Sequence, residues 1–153
     1  MNIIETLSKN YDGIILDLEG TMQKPGYFAS ARPAFVDGLA VGLKILKDAY
    51  PLFIVSNCDN KMLSNFLDTD DMRSYFKDWE CLGNTGLSKS ENIKDIINRN
   101  SIKLALYVGD SFPDIQAAKM AGIDYIHAAY GLDGWADSEK NFESFEDIVK
   151  YLT

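Results

Sequence analysis

Positive charge is scarce in this chain, thiols are scarcer, and no apolar stretch is long. Fifteen Lys and Arg stand against 23 Asp and Glu, a formal net charge of −8. That balance argues against a broad nucleic-acid surface, which needs clustered basic side chains. A small phosphate ester is still allowed, because one bound cation and one well-placed Lys reverse the sign locally. Cys58 and Cys81, the two cysteines, have no metal-type spacing and read as reduced, structural thiols. No apolar run approaches the ~20 residues of a membrane-spanning helix. Met1-Asn2-Ile3-Ile4-Glu5 lacks the basic segment and apolar stretch of a signal peptide. The expectation is a cytoplasmic protein with no membrane partner. Repeats, low-complexity tracts and linkers are missing too, and 153 residues suit one domain, 1–153.

What recurs is an alternation of short apolar runs with amphipathic stretches. Gly13-Ile14-Ile15-Leu16 reads as a buried strand ending at Asp17. Residues 33–47 read as a helix with Pro33 near its start and Phe35, Leu39, Leu43 and Leu46 on one face. Further strands are expected over 51–55, 79–82, 104–108 and 123–127. Further helices are expected over 61–67, 90–99, 115–121 and 145–152, with Gly122 a natural C-terminal cap. Strands apolar throughout and separated by helices imply a doubly wound α/β fold, a central parallel sheet in a three-layer sandwich. Ligands in such sheets bind beyond the carboxyl ends of the strands.

The polar residues of interest fall at those ends. Asp17-Leu18-Glu19-Gly20-Thr21 places two carboxylates one residue apart after a buried strand. They repel unless a cation or proton lies between them. Alone, the segment reads equally well as a polar strand end with a turn. Gly109-Asp110-Ser111-Phe112-Pro113-Asp114 follows another strand, and thiol-free oxygen ligands suit a hard cation such as Mg²⁺. Asp114 also fits a capping role three residues after Ser111, whereas Asp110 has no such structural excuse and reads as a metal ligand. Ser56, with Asn57, ends the second strand, where its hydroxyl and nearby N–H groups suit a phosphate oxygen or merely a helix cap. Ser88-Lys89-Ser90-Glu91 has the form of a capping box, placing Lys89 in a first helical turn. The helix dipole disfavours a cation there by ~0.3–1 kcal/mol, and a bound anion reverses the penalty. His127 reads as a satisfied strand-end residue.

Taken in order, 14–21, then Val55-Ser56-Asn57, Lys89, and 108–114 resemble the haloacid dehalogenase (HAD) superfamily of phosphatases, over about Tyr11 to His127. Ala31-Arg32-Pro33 and the run from Asp114 to Ile123 look most like its phosphoglycolate-phosphatase-type branch. The resemblance implies a Mg²⁺-dependent phosphomonoester hydrolase working through an aspartyl-phosphate. Asp17 is then the nucleophile, Glu19 the acid/base, and Lys89 a catalytic cation. Thr21, Ser56, Asn57 and Lys89 hold phosphate; Asp17, Glu19 (by its backbone carbonyl), Asp110 and Asp114 serve the metal. Two features depart from the pattern. Glu19 stands where the family usually has Asp, although an Asp-x-Glu-Gly-Thr form resembles the enolase-phosphatase branch. The 33 residues from Ser56 to Lys89 and the short stretch from Met22 to Tyr50 leave no room for a cap domain. An open site fits a phosphorylated small molecule, a macromolecular phosphoester, or a homo-oligomer whose neighbouring subunit covers it. A phosphate-binding regulator with weak catalysis is the alternative from another class. Tyr27, Phe28, Tyr130 and Trp135 are local candidates for recognition.

Overall fold

The apolar runs pair side by side into one parallel sheet. The computed structural model describes residues 10–25 and 32–153, so Tyr27 and Phe28 lie outside the described residues. The strands are β1 (Gly13–Leu16), β2 (Leu52–Ser56), β3 (Asp78–Cys81), β4 (Ala105–Gly109), β5 (Asp124–Ala128) and β6 (Asn141–Phe142). They lie in the order β3-β2-β1-β4-β5-β6, every pairing parallel. The helices are α1 (Leu39–Ala49), α2 (Asn60–Leu67), α3 (Leu82–Thr85), α4 (Lys89–Arg99), α5 (Phe112–Ala121) and α6 (Phe145–Leu152), with a 3-10 turn at Met72–Tyr75.

Period-two alternation sends strand side chains to opposite faces. Ile14, Leu16, Leu52, Ile54, Leu106 and Val108 meet α1, α2 and α6 on one side. Ile15, Phe53, Val55, Ala105 and Tyr107 meet Ile93 and Ile96 of α4 and Ala117 and Ala118 of α5 on the other. The small residues of α5 let it lie close to the sheet. The result is the three-layer α/β sandwich expected from the chain, and no cap domain is present among the described residues. No helix among them is long and apolar enough to cross a membrane.

One boundary is corrected. The helix expected from Pro33 begins only at Leu39. The preceding segment is drawn into contact with the loop after β1. Lys24 N–H donates to Ala34 O at 2.7 Å and Val36 N–H to Met22 O at 2.9 Å, with Gln23 and Phe35 bridged antiparallel. Gly38, at φ 74°, then turns the chain into α1. The pairing overrides the helical spacing of Phe35 with Leu39.

Candidate active site

The chain runs outward from β1 through β2 and β3, then crosses back to place β4 on the other side of β1. The carboxyl ends of β1 and β4 thus flank the point where the winding reverses, which is where open α/β sheets bind ligands. Asp17 directly follows β1 and Asp110 directly follows β4. Leu16 pairs with Val108, and Asp17 N–H donates to Val108 O at 2.9 Å. Register alone therefore brings the two carboxylates together.

Lys89 comes from a third element. Ser88 caps α4, its hydroxyl oxygen accepting from Glu91 N–H at 3.2 Å. That cap holds the first turn of α4 with the Lys89 ammonium over the strand ends, 3.5 Å from Asp17 Oδ1 and in direct contact with Asp114 Oδ1. The other oxygen of Asp114 accepts from Asp110 N–H at 2.9 Å, Ser111 N–H at 3.1 Å and the Ser111 hydroxyl at 2.9 Å. Asp114 is thus both helix cap and ammonium partner. Tyr107 donates its hydroxyl to Val55 O at 2.8 Å beneath it.

Asp110 is gripped from two sides. Its Oδ1 accepts the Thr21 hydroxyl at 3.2 Å and its Oδ2 the Leu132 N–H at 2.8 Å. Gly20, at φ 86°, passes so close that a Cβ there would stand 1.8 Å from Asp110 Oδ2. Gly131 packs against both, and a Cβ there would stand 2.3 Å from Asp110 Cβ and 2.5 Å from Gly20 O.

Oxygens of Asp17, Asp110 and Asp114 all lie within 4.8 Å of one another, and all three residues are buried. Burial pushes Asp17 well above the ordinary carboxylate range; Lys89 opposes the rise, and Asp114 and Asp110 add to it. Asp110 is raised chiefly by burial, against the Leu132 N–H. Burial also opposes ionisation of Asp114, but Lys89 and the Asp110 and Ser111 donors outweigh it and hold this carboxyl low. Lys89 is raised, its burial outweighed by Asp17 and Asp114. Three ionised carboxylates against one ammonium leave a surplus of two negative charges, which one divalent cation would balance. An all-oxygen donor set suits a hard one.

Above these groups is a cavity of about 410 Å³ lined by Asp17, Glu19, Ser56, Asn57, Lys89 and Asp110, among others. The expected site residues converge here with two exceptions. Thr21 is fully buried and directs its hydroxyl to Asp110 rather than into the cavity. Asp114 is also fully buried, lying beneath the floor. His127 is buried and satisfied: its Nε2 donates to Gly134 O at 2.7 Å, so its Nδ1 accepts the Tyr125 hydroxyl at 2.6 Å. Tyr130 donates its hydroxyl to Thr21 O at 2.6 Å, a structural tie. Trp135 is exposed. The Gly131-Leu132 segment escaped sequence reasoning. Its signal was weak, a lone Gly in a loop.

A family model for haloacid dehalogenase-like hydrolases matches residues 27–128, about two thirds of the chain. The chain belongs to the HAD-like hydrolases. The matched segment begins after Asp17 and takes in Ser56, Lys89, Asp110 and Asp114. Solved structures agree in fold at low identity. A Clostridium difficile protein assigned as a phosphatase superposes with TM-score 0.83 at 20% identity, covering 95% of this chain and 100% of that one. A Lactobacillus plantarum protein assigned as a phosphoglycolate phosphatase gives 0.79 at 16%, covering 93% and 99%. A HAD hydrolase of Bacillus subtilis, solved with magnesium bound, gives 0.80 at 14%, covering 95% and 100%. No curated protein matches.

Proposed function

We propose that this HAD-like hydrolase is a magnesium-dependent phosphatase that cleaves phosphomonoesters through a phosphorylated Asp17. The observation that carries the reading is the convergence of Asp17, Asp110 and Lys89, from three separate elements, on the floor of one open cavity. Bound by the Asp17 and Asp110 carboxylates and the Glu19 backbone carbonyl, magnesium would neutralise charge on the phosphoryl group.

Asp17 uses a carboxylate oxygen to attack phosphorus in line, and the bond from phosphorus to the ester oxygen breaks. Glu19, half-buried in the cavity wall, gives its proton to the departing oxygen. It then takes a proton from the water that attacks the aspartyl-phosphate, releasing inorganic phosphate and restoring Asp17. Lys89 screens charge on the phosphoryl oxygens, and Ser56 and Asn57 offer donors to them. Thr21 and Asp114 act one step back: Thr21 orients Asp110, and Asp114 holds Lys89 and the Asp110 turn.

Hydrolysis of a generic aryl phosphate, with magnesium and with a chelator, tests this directly. Asp17→Asn keeps the side-chain volume and removes the nucleophile, so turnover falls to background while the far-UV spectrum stays native. A variant that retains full activity refutes the assignment.

A further inference from the structure

The wall of the cavity bears on the part of the substrate that departs. Among the described residues, Lys89 is the single cation in that wall, and its ammonium is already engaged by Asp17 and Asp114. The other charged residues of the lining are acids: Asp17, Glu19, Asp59 and Asp110. Lys24, next to the lining residue Pro25, is a surface side chain 3.8 Å from Asp37 and is not part of the lining. With Asp17 and Asp110 assigned to magnesium, Glu19 and Asp59 remain, so among the described residues a second anionic group on the substrate meets two carboxyls and no side-chain cation of the wall besides Lys89.

Besides Gly20, Ser56, Asn57 and Ser111, the rest of the wall is apolar, with Pro25, Cys58, Met62 and Leu132. Leu132 is 70% exposed, and Phe112, next to the lining residue Ser111, is 57% exposed. Neither is on a loose segment. Leu132 N–H is held by Asp110 Oδ2 at 2.8 Å, Phe112 N–H by Asp133 Oδ2 at 2.7 Å, and Asp133 N–H by Asp110 O at 3.1 Å. The loop that orients Asp110 thus also holds Leu132 exposed in the cavity lining, with Phe112 exposed one residue beyond that lining. Exposed apolar side chains in fixed positions at a site are contact surface.

We propose that the site selects phosphomonoesters whose leaving group is uncharged and apolar, aromatic rings included, and discriminates against phosphorylated carboxylic acids. This rests on the phosphatase reading and adds the substrate class to it. Leu132 and Phe112 supply the contact, and the acidic wall supplies the discrimination.

The test compares kcat/KM of the magnesium-loaded full chain for benzyl phosphate, 2-methoxyethyl phosphate and phosphoglycolate, whose leaving groups are all unactivated alcohols. Benzyl phosphate should exceed 2-methoxyethyl phosphate by about tenfold, the scale of an aromatic contact. Phosphoglycolate should fall below 2-methoxyethyl phosphate by about fivefold or more, the scale of an exposed charge pair. Leu132→Lys should raise phosphoglycolate relative to 2-methoxyethyl phosphate by about fivefold. Phe112→Ala should lower the preference for benzyl phosphate, whereas Met120→Ala, exposed on the same helix and outside the site, should not. The proposal is overturned if phosphoglycolate matches or exceeds 2-methoxyethyl phosphate, or if Leu132→Lys leaves that ratio unchanged. Turnover of none of the three overturns the phosphatase reading itself, and this one with it.

Discussion

Replacing Lys89 by Met separates the two jobs its ammonium does. The side chain is buried, 3.5 Å from Asp17 Oδ1 and in closer contact with Asp114. At an effective dielectric constant near 20, a unit charge pair at 3.5 Å is worth about 5 kcal/mol before desolvation. Removing one partner of such a buried pair costs about 3–5 kcal/mol, because the remaining carboxylates lose their counter-charge. Lys89→Met should therefore be less stable than the parent by about that amount in urea titrations with a chelator present. Magnesium then has three carboxylates with no competing ammonium. It should bind the variant more tightly than the parent, and saturating magnesium should shrink the stability gap. Turnover should nevertheless be lost, because the phosphoryl oxygens lose their cation. Equal stability in chelator, or weaker magnesium binding by the variant, would refute this electrostatic account.

Three further outcomes follow from the same coordinates. Asp17 and Asp110 are raised chiefly by burial, so above about pH 4, where ordinary carboxylates have ionised, the metal-free site still holds protons. Magnesium must displace them, so its affinity should climb with pH, and calorimetry in buffers of different ionisation enthalpy should detect proton release; a buffer-independent heat contradicts the shifts. Gly20→Ala puts a methyl 1.8 Å from Asp110 Oδ2 at a left-handed φ of 86°; it should weaken magnesium binding at least about tenfold, the effect expected when a ligand's support is lost, and unchanged affinity would show that the turn yields freely. At the sheet edge, burial would raise Asp78 and Glu80, but Arg99, with Asn100 on Asp78, Asn84 on Glu80 and a backbone N–H on each, outweighs it and both are lowered. Lowered carboxyls stabilise the fold above their unfolded pKa, near 4, and lose that contribution as pH falls through the folded value. Arg99 is itself partly exposed, so Arg99→Gln should cost only about 1 kcal/mol at neutral pH and move the acid-unfolding midpoint upward; an unmoved midpoint counts against the pairing.

Much of the fold was legible because each signal was local. Ile14 to Leu16 could only be buried on both faces, and Gly122 closes α5 at φ 74° as its sequence position suggests. The start of α1 was not legible. Phe35 has helical spacing to Leu39, yet its backbone environment is set by Met22 and Gln23, which no window of sequence reveals. β6, two residues at Asn141–Phe142, is too short to show a period and is a strand because His127 N–H donates to Lys140 O at 2.9 Å and Ala129 N–H to Phe142 O at 2.8 Å. In the site, the strand-end acids were readable from position. The grip on Asp110 by Thr21, Gly131 and Leu132 was not, since it joins residues more than twenty apart or relies on a glycine with no motif around it.

On the proposed function a chain of net charge −8 must host a dianionic ester, and the local charges set what that requires. Lys89 supplies one positive charge to three buried carboxylates and shares it between Asp114, held low by Lys89 and by its own turn, and Asp17. That share does not offset the burial of Asp17, and Asp17 and Asp110 are both raised. The rise of Asp17 opposes its ionisation, and once ionised the carboxylates need further positive charge before a phosphate can approach. A divalent cation held by Asp17 and Asp110 would meet both needs: it would favour the ionised form of Asp17 and supply the positive charge. The hydrogen bonds from Thr21 and Leu132 to Asp110 matter for the same reason. They orient Asp110, whereas Asp17 is met by the Lys89 ammonium at 3.5 Å and, on the proposed mechanism, would turn an oxygen toward phosphorus.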